Sequence, residues 1–574
     1  MILRWSSFSP SLAATASLIL VSITALTAQS NHSEIDLPAQ AKAKEIAKDW
    51  KGAEPLWQKA ASANPSNGDY WLGLARTAKS AGDLDVSIEA YKRVFDLGIG
   101  FPCESAYKLA GCYAKKGDKE RAKEWFRTSM KMGLRDLDSA SKGDELVVLK
   151  DEPEFRSLLA LDGPKLGRDD GWRSDIRFLY QEIKWKGWSP FHVVSEKEFD
   201  ANVAKLIEEV PHLDDVKIEL GLMKLLADVG DGHTSLWGAR RQEFAFALPV
   251  KFYWFKEGLY IVAAEPNHKD LLGAQVVRLG GKTPSELEDA MRPFLSRDNE
   301  QWLKEVIPFR LRSTVFLNAA GLTQDPHSVA LQLKKLDEST AEVNLQADMS
   351  APDIWNSLPY PSGWVGLLET TPGQTPMYLR NIQRSYWFEY LPSSRTLYFQ
   401  YNHVRSDDSE PLDRFADRLS KAVDKNKPNR LVIDLRWNNG GDTLVNDLLL
   451  KALLKNPRLS EPGFMYVIAG RRTFSAAMNA ASYLKRFFNP IFVGEPTGGK
   501  PNAAGDEVPF TLTYSGIVVN VSDVYWAGYW PEDHRTWIAP DIYAPPTFAD
   551  FLAKRDPAME AITRKGTGGK RASL

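Results

Sequence analysis

A serine, a lysine and a pair of glycines fall within one stretch, Leu431 to Gly505, at spacings that could do covalent chemistry. Gly440 and Gly441 close the segment Arg436-Trp437-Asn438-Asn439-Gly440-Gly441, Ser475 lies in Arg472-Thr473-Phe474-Ser475-Ala476-Ala477, and Lys500 ends Gly494-Glu495-Pro496-Thr497-Gly498-Gly499-Lys500. A serine hydroxyl is a weak nucleophile. It needs a base within hydrogen-bond reach and donors for the oxyanion that forms on the attacked carbonyl. Glycine permits close backbone approach and unusual φ, so the Gly440-Gly441 loop can offer N–H groups, and the amide of Ala476 directly follows the hydroxyl. From local sequence alone, Ser475 reads equally well as a plain helix N-cap.

The elements that must position these groups are legible around them. Three short apolar runs, Leu431–Leu435, Phe464–Ala469 and Ile491–Val493, are β-branched or aromatic and bounded by turn residues, and helix-permissive sequence follows the first two. The pattern predicts strand-loop-helix units, with a helix from Ala476 to Phe487 stopped by Asn489-Pro490. Ser475 then stands at a helix N-terminus, where free amides and the dipole favour negative charge. A second polar group of interest is His233, in Gly230-Asp231-Gly232-His233-Thr234-Ser235 after a helical segment. By itself such a histidine is more often a turn or packing residue than a base.

The run Leu431 to Gly441, the Phe474-Ser475-Ala476-Ala477 segment and Val493 to Lys500 resemble the tail-specific (C-terminal processing) serine peptidase family. Asp231-Gly232-His233-Thr234 and Pro540-Asp541-Ile542 match it too, so the resemblance spans roughly 170–560. It implies a crotonase-like fold with the serine at a helix start, and two solutions for the base. In the processing-protease branch a lysine 25 residues after the serine serves, and Lys500 has that spacing; in tricorn-like members a histidine from the preceding helical segment serves, and His233 matches it. Lysine must lose roughly three pKa units to act near neutral pH, whereas histidine starts near about 6.5. Proton affinity therefore favours His233, and spacing favours Lys500. A histidine base would want an orienting acid, for which Glu532 and Asp533 are the candidates.

The rest of the chain suggests a multidomain protein: an N-terminal α-helical, tetratricopeptide-like repeat, then an α/β crotonase-like peptidase core with a helical cap and a PDZ-like segment. At 574 residues the chain has room for about three to five domains. Residues 1–28 read as an export signal, with an uncleaved anchor as the alternative. In 36–135, Leu74-Ala75, Gly82-Asp83, Ser87 and Tyr91 recur 35 residues later as Leu109-Ala110, Gly117-Asp118, Ala122 and Phe126, the spacing of tetratricopeptide-like repeats. A connector (136–165), the cap (166–240), the PDZ-like strand-rich segment (245–347), a linker (348–374), the core (375–560) and a basic tail (561–574) follow.

Composition narrows the function classes. A formal net charge of −2 removes any broad electrostatic case for nucleic acid. Cys103 and Cys112, nine helical residues and about 13 Å apart if both lie within one helix, are poorly placed for a disulfide. The Gly494–Lys500 run copies most of a phosphate-binding loop, but Pro501 stands where the magnesium-binding hydroxyl belongs. The eight histidines show no close pairing, so no metal or cofactor is argued. The expected partners are a polypeptide substrate and a protein docked on the repeats, with no stable membrane insertion after signal cleavage. The rival expectations are a catalytically idle binding protein on the same fold and a hydrolase of non-peptide amides or esters.

Overall fold

In the computed structural model, which describes residues 36–236, 246–348, 355 and 358–565, the apolar runs around Ser475 become neighbouring parallel strands. The expected export signal at 1–28, the end of the basic tail and much of the start of the linker lie outside the described residues. No helix among the described residues is long and apolar enough to cross a membrane. The chain divides into two units, one ending at Phe126 and one beginning at Arg127.

The first unit is built from antiparallel helix pairs. Helices α1 (Leu37–Ile46), α2 (Trp50–Ala63), α3 (Gly68–Ala81), α4 (Leu84–Leu97) and α5 (Pro102–Lys115) follow one another with short turns, and α6 (Lys119–Lys131) comes next in sequence. Small buried residues let the helices approach. Ala53, Ala75, Ala78 and Ala110 are fully buried, and Trp57 lies over Gly73 so closely that a β-carbon there would come within 2.6 Å of the indole. Asp83 caps α4 by accepting from the Val86 amide at 3.1 Å. Cys103 and Cys112 are both buried within α5 and unbridged, as their helical separation requires.

In the second unit, helices α7 (Arg168–Lys186), α8 (Glu196–Glu209) and α9 (Asp215–Asp228) lead to the turn that carries His233. An antiparallel sheet follows, in the order β1 (Val250–Phe255), β2 (Gly258–Ala264), β3 (Gln275–Leu279), β4 (Ser328–Lys334) and β5 (Thr340–Gln346), with β6 (Val365–Gly366) added to β2. Helices α10 (Pro284–Met291) and α11 (Glu300–Arg310) lie between β3 and β4 in sequence. A capping box closes the start of α10: Thr283 and Glu286 bond reciprocally across the first turn.

The second sheet holds the Ser475 region. Its order is β14 (Ile542–Tyr543), β11 (Ile491–Gly494), β10 (Met465–Ala469), β9 (Arg430–Asp434), β8 (Thr396–Tyr401) and β7 (Tyr386–Leu391). All its pairs are parallel except β7–β8 at the edge. Helices α12 (Leu412–Asn426), α13 (Asn446–Leu454) and α14 (Ala476–Phe487) make the crossovers between β8, β9, β10 and β11. Every residue of β8, β9 and β10 is buried, which is why the runs are continuously apolar rather than alternating. A long two-stranded ribbon, β12 (Asn502–Thr511) with β13 (Val518–Ala527), leaves this sheet just after Lys500.

Candidate active site

Strands β9 and β10 are parallel neighbours, so the loops that follow them open at the same edge of the sheet. One loop carries Gly440 and Gly441, the other ends at Ser475. Asn438, fully buried, ties them together. Its side-chain amide donates to the Tyr401 carbonyl at 2.9 Å, its side-chain oxygen accepts from the Gly440 amide at 3.0 Å, and its backbone carbonyl accepts from the Phe474 amide at 3.3 Å.

Ser475 precedes α14 with φ 51° and ψ −131°, a strained conformation for a residue with a β-carbon, and its hydroxyl makes no capping bond to the helix. The plain N-cap reading of this serine is therefore excluded. The strain is possible because Gly440 and Gly441 leave room. A β-carbon on Gly440 (φ +119°) would lie 2.6 Å from the Ser475 β-carbon and 3.0 Å from its Oγ, and one on Gly441 (φ +139°) would lie 2.1 Å from the Val404 carbonyl oxygen. The Gly440 amide is taken by Asn438. The amides of Gly441 and Ala476 have no acceptor among the described residues. The Ala476 amide is one of the orphan donors every helix start leaves.

His233 is brought to this edge from the far side of the sequence. The Asp231 carboxylate accepts from the backbone amides of His233 (2.8 Å) and Thr234 (2.6 Å) and from the Ser522 hydroxyl (2.9 Å). Ser235 and Asn520 exchange backbone hydrogen bonds at 3.0 Å, so β13 holds the turn as an added strand would. The imidazole stacks on Phe474, the residue before Ser475, with ring centroids 4.5 Å apart, and Phe474 stacks in turn on Trp302 at 4.0 Å. His233 is only 6% exposed, and neither ring nitrogen has a hydrogen-bond partner among the described residues. A buried imidazole with both nitrogens unengaged carries an unmet polar requirement that a substrate or a serine hydroxyl can fill.

The remaining site residues foreseen in the sequence fall in two places. Lys500 joins the histidine turn: its Nζ donates to the Gly230 carbonyl at 3.4 Å and its amide to the Asp298 carboxylate at 3.3 Å. Glu532 and Asp533 make no hydrogen bond to His233. Glu532 is exposed, and Asp533 is paired with Arg535, whose hydrogen bonds hold its carboxyl below the usual range. The carboxylates that do feel His233 are Asp298 and Glu507, which sequence reading missed. Burial pushes both upward, Asp298 against the opposing pull of Lys500 and His233, and Glu507 against that of His233. Asp298 accepts from the Gly232 amide at 2.8 Å, and Glu507 from the Asn520 side chain at 3.1 Å. Neither has a motif spacing; only the ribbon folding back over the turn brings Glu507 close. Among the described residues no group of three His, Cys, Asp or Glu side chains could hold a metal ion.

The tetratricopeptide repeat profile matches residues 104–132, over α5 and α6. No curated protein matches the chain. Among solved structures, a CPAF mutant superposes with TM-score 0.50 at 13% identity, covering 70% of this chain and 99% of that one. Over that span the chain shares its fold with that structure. The photosystem II D1 C-terminal processing protease, at 13% identity, covers 68% of this chain and 96% of its own, with TM-score 0.33. The "Putative S41 protease" from Bacteroides fragilis, at 14% identity, covers 56% of this chain and 86% of its own, with TM-score 0.27. The chain thus joins a helical repeat region to a mixed α/β core.

Proposed function

We propose that the chain is an exported serine peptidase that cleaves peptide bonds through an acyl-enzyme on Ser475, with His233 as general base. The observation that carries this reading is the buried His233 imidazole, without a hydrogen-bond partner and stacked on the residue that precedes Ser475. In the proposed first step the Ser475 oxygen attacks the substrate carbonyl carbon while His233 takes the hydroxyl proton. The Gly441 and Ala476 amides receive the oxyanion, and Gly440 contributes space rather than a donor. On collapse, His233 returns the proton to the leaving amine, and water repeats the sequence on the ester. Asp298 and Glu507 stabilise the imidazolium electrostatically. Lys500, bonded to the Gly230 carbonyl, steadies the histidine turn. The helical repeats dock a protein partner or the substrate.

Active-site labelling with a fluorophosphonate tests the reading. A covalent adduct on Ser475, absent from Ser475→Ala and strongly slowed in His233→Ala, is expected. A wild-type chain that takes no label, or one labelled as fast without His233 as with it, overturns the corresponding assignment.

A further inference from the structure

Behind the loop that ends in Ser475 lies a cavity of about 550 Å³ between the β1 end of the antiparallel sheet and the β10 and β11 ends of the parallel one. Ser475 and His233 do not line it. Its volume is in the range that takes a small organic ligand. Tyr253, Trp355, Tyr360, Tyr378, Trp437 and Phe551 supply aromatic walls.

The polar part of the wall is unbalanced in one direction. Among the described residues Arg436 is balanced by Asp434 and Asp556, and Arg555 by Asp550 and Glu560, so the imbalance lies in donors that lack acceptors. Arg471 is paired with Glu495 at 3.3 Å and Arg472 with Glu305 at 2.8 Å, yet the Nε of each arginine, like Nε1 of Trp437, has no acceptor among the described residues. Both arginines are 4% exposed. No buried side-chain acceptor on the wall lacks a donor among the described residues. Lys251 completes the excess. It sits where the β1–β2 register shifts, a bulge that re-aims side chains, and its ammonium donates to the Pro359 carbonyl at 2.7 Å but forms no ion pair with a described residue. Buried donors and an uncompensated ammonium are costly unless an acceptor meets them.

We propose that this cavity binds a small organic carboxylate with an apolar body, its acid group received by Lys251 and its body by the aromatic walls. Burial and the neighbouring Arg472 and Arg312 guanidiniums pull the Lys251 ammonium down to about 7, against the pull of Glu305. A carboxylate beside it reverses that balance, so binding near neutral pH takes up a proton. The site stands apart from the Ser475 chemistry and does not depend on it.

Titration calorimetry of the full chain with 1-naphthoate, decanoate and the neutral 1-naphthylmethanol tests the proposal. One acid should bind per chain, at least tenfold more tightly than the alcohol. Between buffers of different ionisation enthalpy, the heats should report proton uptake near pH 7.5. Lys251→Met and Lys251→Gln, checked for folding by thermal melting, should each weaken acid binding at least tenfold and abolish the uptake. Ser475→Ala should bind as the wild type does. No heat with either acid, equal affinity for the alcohol, or unchanged binding in both Lys251 variants overturns the proposal. Displacement of naphthoate by a peptide with a free C-terminal carboxylate, with no binding of decanoate, overturns the small-molecule assignment.

Discussion

Among the described residues, the groups without partners at the Ser475 end of the Gly470–Ser475 loop include two imidazole nitrogens and two backbone amides; at the Arg471–Arg472 end, a few residues away, they are side-chain donors around one ammonium without an ion pair. The first set can both accept and donate, as moving a proton while stabilising an oxyanion requires. The second set can only donate, which suits holding an anion that does not react. The backbone separates the two as well. Ser475 is held at positive φ, whereas Arg471 and Arg472 are fixed by carboxylates and by the Trp254 and Trp355 carbonyls. Strain and unmet requirements of both signs mark the end proposed to react, and a one-sided surplus marks the end proposed to bind.

Ser475→Ala is expected to give the largest effect. Hydrolysis of a susceptible peptide should fall by at least about 10³-fold, since the proposed ester forms on the Ser475 oxygen, while 1-naphthoate binding is unchanged. A variant that loses both properties would break the separation. His233→Ala should follow, at about 10²- to 10⁴-fold in the acylation rate measured in a single turnover. Lys500→Ala, which removes a bond to Gly230 but leaves the imidazole in place, should cost less than about tenfold. If Lys500→Ala is the more damaging of the two, the base is the lysine.

Gly440→Ala probes the backbone half of the contrast. Its β-carbon would meet Ser475 at 2.6 Å, from a φ of +119°, so labelling should slow by roughly 10- to 100-fold, the scale of an ångström-sized misplacement. Gly463→Ala, with open space around its β-carbon, carries the φ penalty alone. Comparing labelling rates and melting temperatures in the two variants separates the steric contact from the strain.

Legibility in the sequence followed the range of the interactions. The helix from Ala476 to Phe487 was readable because its start and stop signals are local, and the strands because parallel burial makes their sequences continuously apolar. The repeat helices were readable from small residues recurring at one spacing. His233 was visible only through resemblance, since a lone histidine between turn residues has no local signature of a base. Glu507 left no signal, because what matters is the return of the β12–β13 ribbon to the histidine turn, a contact across nearly 300 residues, and Asp298 reaches the same turn only through the Gly232 amide. Glu532 and Asp533 looked eligible for want of any sequence sign that Arg535 would pair with Asp533. Lys251 has no local sequence signature of a binding residue; the bulge and the second sheet enclose it.

The smallest expected effect tests the receptive end without any ligand. Because the folded state holds the Lys251 pKa at about 7, below its ordinary 10.5, the lysine costs no stability above pH 10.5. The cost grows as pH falls and is complete below about 7. Replacing it by methionine removes that cost, while the packing change and the lost Pro359 bond contribute equally at every pH. The rise in melting temperature from Lys251→Met should therefore be larger at pH 6 than at pH 9, by several degrees at about 2–4 °C per kcal/mol. An identical change at both pH values would mean that the ammonium is well solvated in the folded chain, and the cavity would then have no surplus of charge to distinguish it from the rest of the surface.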